Sequence, residues 1–442
     1  MQRSNLKRLA AVAIAGFLAS TAQADDYAYT EAEVENSFFP YKTYTPEFPG
    51  YEPGMVINAS NVDQFKDALD PGFYDHLKNG RFEMQTKKTE SLELHPNYIK
   101  ATREAANNPP KLTSDGLVEN FVAGRAFPKE PDANDPNAGI KLAWNYQYGY
   151  NWGDNAAICP FYWKYKDMKS GKLERTIKWC FHFLNWKHRV NQDPTPEFTD
   201  NPAQLFRSIY SKADEPFDLR NTQLLIHRYK NDLKRDDAWL YLGFQRRVRR
   251  LATGQNTDSF LGTDIIIEDF EGYNGRVSDY NWKYIGTKNI FLPFHRHNEL
   301  QLTEEHKEPD GFQYVDFGGT GDCFPKTTWE LRKVYQVEAT PKDPNHPLSR
   351  RVMNVDAQTF TIPAQAQFDR KGDFWKTFLI CQAYPDKYHP LSDGSGVSID
   401  DCFSVADVQA QHCTTGQFKG LVTPEMNPPQ MFTVQNLRKS GQ

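Results

Sequence analysis

The residues best suited to chemistry fall in four short runs. "FHRHNE" sets His295 and His297 two apart, which on a strand puts both imidazoles on one face. Two such nitrogens could begin a metal site, but no third ligand stands at a diagnostic spacing, so packing or surface histidines are expected. "IEDFE" (267–271) gathers acids that could serve as general acid and base. The chain carries 57 Asp and Glu, however, and nothing in this run marks a catalytic pair. "FGGTGDC" (317–323) reads as a tight turn before a strand. GxSxG, HExxH, GxGxxG and phosphate-binding patterns do not occur, so the sequence reads as a non-enzyme without metal or cofactor.

The fourth run is "AWLYLGFQRRVRRL" (238–251), where Trp239 and Tyr241 alternate into a turn followed by Arg246, Arg247, Arg249 and Arg250. A Gly243–Phe244 hairpin loop would set Tyr241 against Arg246. A loop that also takes in Gln245 would set Tyr241 against Arg247 and Trp239 against Arg249. Either register pairs an aromatic with a guanidinium, worth ~0.5–1 kcal/mol when exposed. The arginines are expected to meet Asp264, Glu268 and Asp269; the alternative is contact with an anionic headgroup or an acidic partner.

The N-terminus points to export. "MQRSNLKR" is a basic leader, "LAAVAIAGFLA" an apolar stretch too short to span a bilayer, and "AQA" a small-x-small cleavage signal ending at Ala24. Residues 1–24 therefore read as a signal peptide of a periplasmic protein. Its removal takes Arg3, Lys7 and Arg8 and no acid, leaving 49 basic residues against 57 acidic. An acidic exported chain has no electrostatic footprint for nucleic acid. Six cysteines in an oxidising compartment favour disulfides. Cys159 and Cys180 flank the turn "DMKSGK" and come opposite each other when the chain folds about Lys169–Ser170; Cys323, Cys381, Cys402 and Cys413 leave three connectivities open.

The elements that must position these residues are mostly strands. Residues 25–57 read as an extended surface arm and 58–442 as a single domain. Asn61 is expected to open a helix with Gln64 in a capping box and Val62, Phe65 and Leu69 as its apolar stripe. "HPNYIKATREAAN" reads as a second helix and "NPAQLFRSIYSK", with Pro202 leading, as a third. From about residue 140 a period of two dominates. Tyr280, Trp282 and Tyr284 oppose Asp279, Asn281 and Lys283, and Trp329, Leu331, Tyr335 and Val337 oppose Glu330, Arg332, Gln336 and Glu338. Arg370–Asp373 holds a glycine-bearing hairpin turn. Successive strands with short turns give an α+β fold, predominantly antiparallel β. The aromatic stripes read either as ordinary core or as the wall of an apolar cavity, with Trp239, Tyr241, Tyr280, Trp282, Tyr284, Trp329 and Tyr335 as candidate lining.

Several stretches in order, "INASNVDQFKDAL", "GIKLAWNYQYGYNWGD", "DDAWLYLGFQRRVRRL", "GTDIIIEDFEGYNGRVSDYNWKYIG", "RKVYQVEATPKDPNHPLSRRVMNVDAQTF" and "FDRKGDFWKTF", resemble a family of exported bacterial proteins labelled outer-membrane lipoprotein-sorting protein. That family is catalogued as a domain of unknown function and grouped with the LolA/LolB lipoprotein carriers. The resemblance implies a strongly curved half-barrel with helices at its concave mouth. It also implies a carrier or adaptor that shelters a lipid, acyl chain or other apolar molecule without covalent chemistry. A resistance-nodulation-division transporter and an outer-membrane channel protein are its implied partners. Where the family carries Pro in YxPxxRR this chain has Gly243, which implies a looser loop. The alternatives from other classes are a secreted hydrolase using paired acids and an envelope interaction protein with a filled core.

Overall fold

The computed structural model describes residues 28–251, 257–422 and 427–441; the expected signal peptide lies outside them. Among the described residues sixteen strands form one large sheet. In chain order they are β1 (Val56–Ile57), β2 (Met84–Lys87), β3 (Asn155–Asp167), β4 (Leu173–Asn185), β5 (Leu205–Glu215), β6 (Gln223–Tyr229), β7 (Asp237–Leu242) and β8 (Arg247–Arg250). There follow β9 (Tyr280–Leu292), β10 (Phe294–His295), β11 (Thr328–Pro341), β12 (Leu348–Asp356), β13 (Ala364–Asp369), β14 (Phe374–Ala383), β15 (Ile399–Asp407) and β16 (His412–Leu421). Strands β3–β8 and β11–β16 are two antiparallel meanders, and the pairing of β16 with β3 joins them edge to edge.

The sheet is strongly curved without closing. β9 pairs with β11, the chain passes Pro293, and β10 then pairs in parallel with β14, three strands away from β11. A flat sheet would hold β14 about 14 Å from β11 at the usual strand spacing, so only a bend brings both within reach of one continuous segment. The expected α+β half-barrel is what forms.

Among the described residues five α-helices lie around this sheet: α1 (Glu31–Phe38), α2 (Pro71–Lys78), α3 (Pro96–Ala105), α4 (Ala138–Gln147) and α5 (Val434–Ser440). Gly139 lets α4 lie directly on β9: a Cβ there would meet the Trp282 carbonyl oxygen at 2.5 Å. Among the described residues no helix is long and apolar enough to cross a membrane.

Several expectations need correction. The arm from residue 28 is not wholly extended: Thr30 and Glu33 form a capping box that starts α1, whose Val34 and Phe38 are buried. Residues Val62–Ala68 form a 3-10 helix in which the Asn61 side chain caps nothing. Its buried residues Val62, Phe65 and Ala68 repeat at three rather than 3.6. The segment read as a third helix is strand β5; Asn201 turns the chain into it by accepting from Leu205 N–H and donating to Leu205 C=O. Most of the polar side of β11 does not face water: of Glu330, Arg332, Gln336 and Glu338, only Glu338 is partly exposed. Glu330 and Arg332 are fully buried, Arg332 bonding Glu330 at 2.8 Å and Asp356 at 2.6 Å beneath the ring of Tyr41.

Disulfides join Cys159 to Cys180 and Cys323 to Cys413. Cys381 and Cys402 are buried thiols directly opposite each other on β14 and β15.

Candidate ligand cavity

One row of directly paired residues crosses the curved sheet: Tyr284, Val337, Met353, Gln365, Phe378, Val405, Thr414 and Tyr165. Paired residues share a face, so this row defines the inner side. Toward β3 and β4 that side becomes almost wholly aromatic. Phe161, Trp163, Phe181, Phe183, Phe378, Phe403 and Phe418 surround a cavity of about 40 Å³, with Ile158, Ile265, Ile380 and Phe270 completing the apolar wall. Two carboxyl groups, Glu271 and Asp400, also face it.

The cavity is small because residues 257–275 lie across the sheet and fill it. Phe260, Ile265, Ile267 and Phe270 enter the same buried cluster as the wall. Two 3-10 turns, Phe260–Gly262 and Ile267–Gly272, carry Phe260, Ile267 and Phe270, with Ile265 between them, and left-handed backbone at Leu261 and Glu271 breaks each turn. The short Ser259↔Ile266 bridge is local, so polar side chains do the anchoring. Asp269 accepts from Arg351 at 2.6 Å and Gln367 at 2.9 Å. Glu268 accepts from Tyr280 at 2.7 Å and pairs with Arg351 at 3.2 Å and His346 at 3.1 Å. Burial opposes ionisation of Glu268, but His346, Arg351 and Tyr280 together hold it below the ordinary carboxylate range. At the other end Asp264 accepts from Thr414 at 2.6 Å and pairs with His412 at 2.8 Å, which raises that imidazole's pKa.

Glu271 pairs with Arg207 at 2.9 Å through Oε2, while its buried Oε1 has no hydrogen-bond partner among the described residues. Asp400 is pushed up to about 8 by burial, with Glu271 adding to the shift against hydrogen bonds from Gln382 and Trp152. The cavity therefore offers an aromatic wall, one carboxyl oxygen without a hydrogen-bond partner among the described residues and one carboxyl that keeps its proton at neutral pH.

None of the seven aromatics singled out in the sequence is among the residues that line this cavity. Tyr280, Trp282, Tyr284 and Tyr335 share the inner face, but pack with Leu142 of α4 and with Tyr273. Trp239 and Tyr241 lie on the opposite face; Tyr241 donates to the Gly441 carbonyl beyond α5. Trp329 packs on Phe73 of α2. The lining residues of β3 and β4 carried the same alternating pattern, which was the available signal.

The arginines do not meet the acids expected for them. The hairpin loop is Gly243–Arg246, with Arg246 left-handed, so Tyr241 faces Val248 and Trp239 faces Arg250. Arg250 pairs with Asp237 and Arg249 with Gln245, while Arg246 and Arg247 are exposed and have no ion-pair partner among the described residues. Gly243 passes close against the Arg220 backbone, where a Cβ would strike the carbonyl oxygen at 2.3 Å.

The profile of a family described as protein of unknown function (DUF1329) matches residues 56–438. Pseudomonas aeruginosa PA3922 is 25% identical over 351 residues, which cover 76% of this chain and 70% of that protein. Among solved structures, a domain named for outer-membrane lipoprotein sorting from Vibrio parahaemolyticus aligns over 69% of this chain and 100% of its own, with 16% identity and a TM-score of 0.47. LolA superfamily protein NE2245 from Nitrosomonas europaea aligns over 64% and 91%, with 11% identity and a TM-score of 0.37.

Proposed function

We propose, from the premise that the chain belongs to the DUF1329 family, that it is a periplasmic carrier or adaptor for an apolar molecule, which it shelters on the aromatic inner face of its sheet. One observation carries the reading: that face is covered by an inserted segment rather than by a second sheet. Phe260, Ile265 and Phe270 stand where cargo would stand. A site for a drug-sized ligand takes roughly 300–1,000 Å³, far above the 40 Å³ present. Loading therefore requires residues 257–275 to lift, exchanging their own apolar contacts for those of the guest. Each CH₂ of the guest buried contributes ~0.8 kcal/mol, so a lipid tail holds without an energy source. The unpartnered Oε1 of Glu271 favours a cargo whose polar end donates a hydrogen bond.

The two disulfides fit an oxidising compartment. The proposed partners are a resistance-nodulation-division transporter and an outer-membrane channel protein. Arg246, Arg247, Arg249 and Arg250 at the sheet edge are the surface proposed for them or for an anionic headgroup.

Mass spectrometry of organic extracts of the purified protein, with binding of a fluorescent fatty acid, tests the reading. We expect an extracted apolar compound, and stronger probe binding by Phe270→Ala, which vacates part of the wall. Protein that yields no such compound and binds no probe, in either form, would overturn it.

A further inference from the structure

A second cluster lies apart from the cavity. His295 ends β10, His297 opens the 3-10 turn that follows, and Asp401 sits on β15, more than a hundred residues on. All three are at most 1% exposed. Asp401 reaches them because it is the extra residue of a β-bulge: Cys381 pairs with Cys402 and Gln382 with Asp400, leaving Asp401 unpaired. Bulges re-aim a side chain in this way. Its Oδ2 lies 2.7 Å from His295 Nε2 and 2.9 Å from His297 Nδ1.

The outer nitrogens are occupied elsewhere. His297 Nε2 donates to the Gln313 carbonyl at 2.9 Å, and His295 Nδ1 bonds Thr327 Oγ1 at 2.8 Å. A carbonyl only accepts, so His297 Nε2 carries a proton. In a neutral imidazole Nδ1 is then a bare lone pair. That lone pair faces a carboxylate oxygen, which repels it unless a cation lies between. A single proton would answer for this contact but not for Asp401 Oδ1, which is buried and, among the described residues, has no nitrogen or oxygen donor, only the weak Cys402 thiol beside its carboxylate. His389, whose ring centre is 5.1 Å from that of His297, adds another buried atom, Nε2, without a hydrogen-bond partner among the described residues.

We propose that His295 Nε2, His297 Nδ1 and the Asp401 carboxylate bind one divalent transition-metal ion of the zinc class. Their ligand atoms all lie within 4.8 Å of one another. Two imidazoles and a carboxylate are a borderline donor set that suits zinc. Holding the outer nitrogen of a ligating histidine by a carbonyl or other oxygen is the usual outer shell of such sites. The ion would staple β10 and the turn after it to β15, a structural role independent of cargo.

Full-length mature protein stripped with a chelator and titrated with zinc chloride provides the test, with bound metal measured by mass spectrometry and stability by thermal melting. The expected result is uptake of one equivalent with a raised melting temperature. The variants His297→Gln and Asp401→Asn should lose this uptake, and His412→Gln, at a distant histidine, should keep it. If the first two variants do not fold, cobalt-loaded wild type decides through its X-ray absorption, which should show a nitrogen and oxygen shell containing imidazole. Wild type that takes up no metal, folded His297→Gln that binds as well as wild type, or a cobalt shell lacking imidazole would each overturn the assignment.

Discussion

Asp70 caps α2 from inside the protein. Its carboxylate accepts from Gly72 N–H at 2.8 Å and from Asn354 Nδ2 at 2.6 Å. Burial nonetheless outweighs these bonds and pushes its pKa from 3.8 up to about 7. Between those two values the folded chain holds a proton that the unfolded chain has released. This contribution to stability therefore falls as pH rises from about 4 to about 7, and is level above that. Asp70→Asn keeps a good capping residue but cannot titrate. Urea unfolding followed from about pH 4 to pH 8 should show a flatter profile for the variant, the difference approaching at most ~1.4 kcal/mol per pH unit. Parallel profiles would mean that Asp70 is ionised throughout. At this scale the sequence shows residue types but not partners. His295 and His297 were visible as a pair, whereas Asp401 became their neighbour only through a bulge in a strand more than a hundred residues away.

The segment 257–275 covers the inner face of the sheet, and Arg351 of β12 tethers it. One guanidinium bonds both Glu268 and Asp269, and all three groups are buried. Arg351→Ala would leave two carboxylates in the interior without their cation, a loss of about 3–5 kcal/mol. We expect a lower urea midpoint, together with faster proteolysis within 257–275 under native conditions. Unchanged stability would show that the tether lies elsewhere. The acids of "IEDFE" were legible as a cluster and read as candidates for catalysis or as partners of Arg246–Arg250. Glu268 and Asp269 find Arg351 far downstream and Glu271 finds Arg207 far upstream, separations that no local pattern reports. Elements whose period matched their burial were legible: β9 alternates as its sequence does, and the β13–β14 turn holds Gly372 at a positive φ. β5 was not, because both its faces are buried and its apolar residues lose the period of two.

Across the whole molecule, two meanders meet where β16 joins β3, and the Cys323–Cys413 disulfide ties β16 to the loop before β11. An open curved sheet leaves an edge at each end of the strand order. At one end stands β8, four residues long, where Arg247, Arg249 and Arg250 are exposed around the half-buried Val248. A short strand crowded with cations repels a second copy that would add to its free backbone groups. The arginines thus have a use that requires no ligand, and the two uses separate experimentally. Replacing Arg247 and Arg249 with valine removes surface charge and one exposed hydrogen bond, from Arg249 to Gln245, so monomer stability should change by no more than about 0.5 kcal/mol. It should also make the edge apolar and prone to β-pairing, so that sedimentation shows concentration-dependent association absent from wild type. Substitution with glutamate preserves a charged edge and should leave the protein monomeric while weakening any acidic partner or anionic headgroup. If the valine form stays monomeric at high concentration, edge protection is not their role, and the arginines are left to the partner surface alone.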